Sequence, residues 1–139
     1  MDPITQQTVI AAAGAGGGDP VYVDDVFSTY LYTGTGSAQT ITNGIDISGE
    51  GGLVWIKNRE SVGQDHALYD TERGAGQTLA SNTTTAQFLS TNRLSALNSN
   101  GFTVGTDTAT NASGNGIASW TFRKAPGFFD VVTYTGNGT

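Results

Sequence analysis

The sequence predicts an all-β protein, an antiparallel β-sandwich of jelly-roll or concanavalin-like kind preceded by a short N-terminal arm. Three observations carry this. Short runs of strand-forming residues recur along the chain, each bounded by Gly, Asn, Asp or Ser turn signals. Charged residues make up only 13% of the 139 positions, so solubility falls to Thr, Ser, Asn, Gln and Gly, a composition suited to strands and turns. Ile117-Ala-Ser-Trp-Thr-Phe122 alternates with a period of two, placing Ile117, Ser119 and Thr121 on one face and Ala118, Trp120 and Phe122 on the other.

Taken in order, residues 1–20 read as an arm and linker. Thr5 to Ala13 suits a short helix with Pro3 near its first turn, and Gly14-Ala-Gly-Gly-Gly18 ends it as a flexible joint. Ile4, Val9, Ile10, Ala11 and Ala12 are the side chains expected to dock on a partner. Residues 21–128 read as the sandwich domain. Its expected strands begin with Val21-Tyr-Val23 and Phe27–Tyr32, the latter bounded by Gly34-Thr-Gly36. Gln39–Thr42 follows with an Asn43-Gly44 turn. Leu53–Lys57 is the most apolar run and reads as a central strand. His66–Asp70 comes after a polar hairpin loop, and Gln77–Leu79 and Phe88-Leu89 are weaker strands. Gly101–Gly105 encloses a short strand, Asp107–Gly116 a polar loop, and Ile117–Phe122 a clear strand. A last strand is expected over Phe128–Tyr134, so residues 129–139 either close the domain or open a second repeat.

That last alternative arises from an internal duplication. Phe27-Ser-Thr-Tyr-Leu-Tyr-Thr-Gly-Thr-Gly-Ser37 aligns with Phe129-Asp-Val-Val-Thr-Tyr-Thr-Gly-Asn-Gly-Thr139. Phe27 and Phe129 match, as do Tyr32 and Tyr134, Thr33 and Thr135, Gly34 and Gly136, and Gly36 and Gly138. Repetition at a domain-sized offset is the mark of modular arrays, and it predicts the leading module of an extended structural protein.

The bulk charge narrows the partners. A net charge of −6 with six scattered Lys and Arg disfavours nucleic acid, which demands clustered cations, and disfavours an anionic membrane surface. No run approaches 18 apolar residues, so no membrane insertion is expected, and the N-terminus lacks the basic region of a signal peptide. The absence of cysteine excludes disulfides and thiolate metal sites.

Candidate chemistry is thin. His66 is the only histidine; Asp65 and Asp70 flank it, but no G-x-S-x-G elbow is present, and Asp65 points to the opposite side of a strand. It is expected to be structural. The twelve Asp and Glu single out no acid pair of the glycosidase kind. Asp24-Asp25, and Asp107 with Asn111, offer oxygen donors without the pattern of a calcium loop. The glycines at 14–18 lack the Lys-Ser/Thr ending of a phosphate loop. Trp55 and Trp120 are expected in the core. Arg73 is placed to pair with Asp70 or Glu72 and pin a loop. No enzyme, catalytic residue, cofactor or metal is therefore expected.

Several motifs fall in a telling order. Y-T-G-x-G spans Tyr32–Gly36, G-L-V-W-I-K-N-R Gly52–Arg59, and H-A-L-Y-D-T-E-R-G His66–Gly74. N-S-N-G-F-T-V-G spans Asn98–Gly105, N-A-S-G Asn111–Gly114, and I-A-S-W-T-F-R-K Ile117–Lys124. Over about residues 27–139 this series resembles a module of unknown function that recurs in tail and other virion proteins of bacteriophages, and it is similar to concanavalin-type, laminin-G-like sandwiches. The resemblance implies a virion structural protein, most simply the tail-attached N-terminal part of a tail fibre or similar appendage used in host attachment. Its expected partners are other virion tail proteins through the arm, and itself as a homotrimer. The alternatives are a capsid decoration protein and a carbohydrate-binding module. The last would read host surface glycan through exposed aromatics, for which Tyr22, Tyr30 and Tyr69 are the candidates.

Overall fold

A computed structural model describes residues 19–139. The expected docking residues Ile4, Val9, Ile10, Ala11 and Ala12 lie outside the described residues. The elements run α1 (Val23–Val26), β1 (Phe27–Thr33), β2 (Gln39–Thr42), α2 (Ile47–Glu50), β3 (Gly52–Asn58), β4 (Ala67–Asp70) and β5 (Gln77–Ala80). They continue with β6 (Phe88–Leu89), β7 (Leu94–Asn98), β8 (Gly101–Val104), α3 (Thr108–Asn111) and β9 (Gly116–Arg123). Strands β1-β9-β3-β4-β5-β6 form one sheet and β2-β8-β7 a smaller one, every pair antiparallel. The two sheets pack as a sandwich. Leu53–Lys57 lies in the interior of the larger sheet, as its unbroken apolar run predicts.

The core fills the space between the sheets. Val54 and Ile56 of β3, Ala67 and Tyr69 of β4 and Ile117 of β9 meet Ile41 of β2, Leu94 of β7, and Phe102 and Val104 of β8. Ile45 and Ile47 close one end. Asp46 caps α2, its carboxylate accepting from the Gly49 N–H at 2.9 Å.

Several expectations are corrected. Val21-Tyr-Val23 is not a strand: Val23–Val26 form a single helical turn, and the Asp25 carboxylate accepts from the Tyr22 N–H at 3.0 Å. A local side-chain bond of this kind offers the backbone an alternative to a sheet ladder. The polar loop at 107–116 holds α3, capped by Asp107, whose carboxylate accepts from the Ala109 N–H at 2.8 Å. No strand forms over Phe128–Tyr134; only Phe129 makes a bridge, to Ala125. The reason is that β1 already occupies the free edge of β9. Strand β7 has no counterpart among the expected strands. It carries a bulge between Leu94 and Ala96 that breaks the alternation a strand reading depends on.

The expected pinning of a loop by Arg73 is present. Its Nε meets the Asp70 carboxylate at 2.6 Å, its N–H donates to the same carboxylate at 2.8 Å, and Nη2 donates to the Leu68 carbonyl at 3.2 Å. Both side chains are largely buried. Asp70→Asn removes the charge but keeps an acceptor, so a loss of about 2 kcal/mol is expected in a urea melt.

Candidate assembly site

The large sheet is apolar on both faces. Register places Val54, Ile56, Ile117, Ser119 and Thr121 inward, and Phe27, Leu31, Leu53, Trp55, Leu68, Trp120 and Phe122 outward. Trp55 and Trp120 therefore do not belong to the core, contrary to expectation; they face away from the small sheet. Opposed across β3 and β9, their rings lie 5.5 Å apart. The alternation of β9 was legible, but the more apolar half of it points outward. Leu31 is 59% exposed on the edge strand, and Leu89 is exposed on the far edge.

His66 sits beside this face, its ring edge-on to Trp55. Its Nδ1 accepts from the Trp55 indole N–H at 3.0 Å, so that nitrogen is spent on the tryptophan. Asp65 turns elsewhere, accepting from the Asn82 side-chain amide at 2.9 Å. Asp107 caps α3 and pairs with Arg93 at 3.4 Å. Among the described residues no three of His, Asp and Glu converge on a metal position.

The three candidate tyrosines separate. Tyr30 is 38% exposed on β1, and Tyr22 is half-buried before α1. Tyr69 is corrected: it is fully buried on the inner face of β4 and cannot touch a glycan. Among the described residues its hydroxyl has no hydrogen-bond partner, and burial pushes it up from 10.0 to about 12. Burial also raises the Tyr32 hydroxyl. Both groups hold their protons more tightly folded than unfolded. Stability is therefore complete below pH 10 and falls as pH rises from 10 towards 12, which alkaline thermal melts will read. Tyr69→Phe is expected to change stability at pH 7 by less than about 1 kcal/mol, since no bond is lost, and to soften the alkaline decline.

The second feature is the grip on the first Y-T-G-x-G. Tyr32 donates from its hydroxyl to the Thr110 carbonyl at 2.7 Å, with its ring edge-on to Phe102. The Gly34 N–H donates to the Asn115 carbonyl, the Gly36 N–H to the Asn111 carbonyl, and the Gly114 N–H to the Gly34 carbonyl, each at 2.9 Å. A Cβ on Gly34 would stand 2.0 Å from the Ala112 carbonyl oxygen, and Gly36 has φ +71° against Ser113. Asn111 is the hub. Its side-chain oxygen accepts from the Thr35 N–H at 2.8 Å and the Gln39 amide at 2.7 Å; its nitrogen donates to the Ser37 and Gly105 carbonyls at 2.6 Å each. In the sequence Y-T-G-x-G and N-A-S-G stand as separate motifs. Their contact, across more than seventy residues, carries no local signal.

Among the described residues, nothing comparable holds the second Y-T-G-x-G. Phe129 stacks on Phe122 at 5.1 Å, and Phe27 of β1 meets the same ring tilted, at 4.9 Å. Lys124 meets Asp130 at 3.2 Å and Glu72 at 2.9 Å; the ammonium is held above its usual range by Glu72 first and then Asp130, and the Asp130 carboxyl is held below its own by Lys124. Beyond that anchor, Val131–Tyr134 line an open groove of about 540 Å³ with Asp70, Arg73 and Leu79. Val132 is 73% and Tyr134 90% exposed. A Cβ on Gly136 would meet no atom within 4 Å.

A family profile described as a domain of unknown function (DUF7483) matches residues 23–139. No curated protein and no solved structure matches the chain.

Proposed function

We propose that this chain, which belongs to the DUF7483 family of domains of unknown function, is a structural module of a bacteriophage virion, the tail-attached part of a tail fibre or a similar appendage used in host attachment. The observation that carries this reading is the apolar outer face of the large sheet. A sheet whose second face bears Phe27, Leu31, Trp55, Trp120 and Phe122 is suited to burial against a neighbour rather than to standing alone in water. The buried side chains of Asn111 and Asp70 are engaged in structural bonds, and His66 beside the outer face is bonded to Trp55, which favours load-bearing over chemistry.

In this reading residues 1–20 dock on the tail machinery through Ile4, Val9, Ile10, Ala11 and Ala12. The outer face packs between copies, in a homotrimer. Deleting residues 2–18 is expected to abolish incorporation into particles while leaving the sandwich folded; undiminished incorporation would remove the docking role. Leu31→Lys, at an exposed edge position, is expected to weaken self-association at least about tenfold in light scattering, about 1.4 kcal/mol, without lowering the melting temperature.

A second reading, a carbohydrate-binding module, is favoured by one observation: the Trp55–Trp120 pair is an aromatic platform open to the outside, with Lys57 and Gln64 beside it. Binding on a glycan array that disappears in Trp120→Ala would select it over the first.

A further inference from the structure

The duplicated strand occupies two opposite situations, and the contrast says what the second copy is for. In the first, Phe27–Gly36 fills a slot between the free edge of β9 and the loop at 111–115. That slot sets four conditions. It needs an aromatic ring against Phe122, met by Phe27. It needs a hydroxyl five residues on, reaching the Thr110 carbonyl, met by Tyr32. It needs no Cβ at the position facing Ala112, met by Gly34, and a left-handed residue two further on, met by Gly36. The remaining bonds use backbone groups, which any sequence supplies.

Phe129, Tyr134, Gly136 and Gly138 meet the same four conditions at the same spacing. Gly138 already has φ +80°, close to the +71° of Gly36. Of the strand positions that differ, Val131 for Thr29, Val132 for Tyr30 and Thr133 for Leu31 keep strand-forming residues, while Asp130 for Ser28 does not. Phe129 rests on this module's own Phe122 at 5.1 Å, but among the described residues the slot's other three features are absent around this copy. Among the described residues, 131–139 hydrogen-bond only within themselves and to Asp130. Nothing in the tail's own surroundings requires a missing Cβ at Gly136, a left-handed Gly138, or a tyrosine at a 90%-exposed position.

We infer that Phe129–Gly138 is a first strand made for another copy of this fold, and that it seats along that copy's β9 with Gly136 and Gly138 against its Asn111 loop. The acceptor is a copy without a first strand of its own. Exchange between two complete copies would expel one β1 for every strand seated, and the released strand would cancel the benefit of the new one.

Two measurements test this. In the first, residues 27–37 of the full chain are replaced by the sequence of 129–139. A cooperative melt within a few degrees of the parent is expected, and failure to fold, where a Phe27→Tyr control folds, overturns the inference. In the second, the full chain is extended after Thr139 by a second copy of residues 38–128, so that Phe129–Gly138 is the strand available to it. Amide exchange at Gly136 and Gly138 is expected to slow to the rates of Gly34 and Gly36. Exchange at the free rate, with the first module intact, overturns it.

Discussion

Gly34→Ala is expected to cost about 3 kcal/mol, a fall of roughly 12 °C in melting temperature for a domain of this size, whereas Gly136→Ala leaves the melt unchanged. The two glycines stand at equivalent points of the same motif, so intrinsic propensity cancels from the comparison. The difference is position. A Cβ on Gly34 meets the Ala112 carbonyl oxygen at 2.0 Å, and the obstacle is backbone that cannot rotate aside. A Cβ on Gly136 meets no atom within 4 Å. Equal losses at both sites in differential scanning calorimetry would mean that the tail is packed as tightly as β1, contrary to the geometry described above.

Asn111→Ala is expected to be as damaging, about 3–4 kcal/mol, and to loosen a defined region first. The fully buried amide serves four partners drawn from three segments: Thr35 and Ser37, Gln39, and Gly105. Truncation strands all four in a place without room for easy compensation, and an unpaired buried group costs more than a bond contributes. Asn111→Asp preserves size but turns a donor into an acceptor facing two carbonyl oxygens, so it is expected to be no better. Hydrogen exchange will show the loss spreading from residues 33–39, because these depend on the hub. Against a total stability of about 5–15 kcal/mol, either variant approaches the unfolding threshold.

The sandwich was legible because its main signals are local. Gly52–Asn58 and Gly116–Arg123 advertise themselves by apolar content and alternation, and Asn43-Gly44 by turn chemistry. What was not legible depends on distant partners. Leu94-Ser-Ala-Leu-Asn98 has little intrinsic strand preference and becomes β7 through pairing with β8, with a bulge turning the phase of its leucines. The period of β9 separated two faces but could not say which one meets the small sheet. Hydrophobicity alone pointed Trp120 inward, while the structure gives that side to Ile117, Ser119 and Thr121. Tyr69 was misassigned for the related reason that an alternating strand has two sides and β4 is too short to rank them. The duplicated motif was visible at once, but the grip of the Asn111 loop on its first copy depends on residues far apart in the chain.

The pairing of β1 with β9 also dictates when this domain can finish folding. These strands are the first and last of the sandwich, in register from Phe27 opposite Phe122 to Thr33 opposite Gly116, with nearly the whole domain between them. During synthesis the leading strand leaves the ribosome long before its complement exists and must wait unpaired, a pairing of high sequence separation that slows the final step. Closure then comes late and all at once, so a nascent chain halted before Arg123 is expected to remain open to proteases along its leading edge.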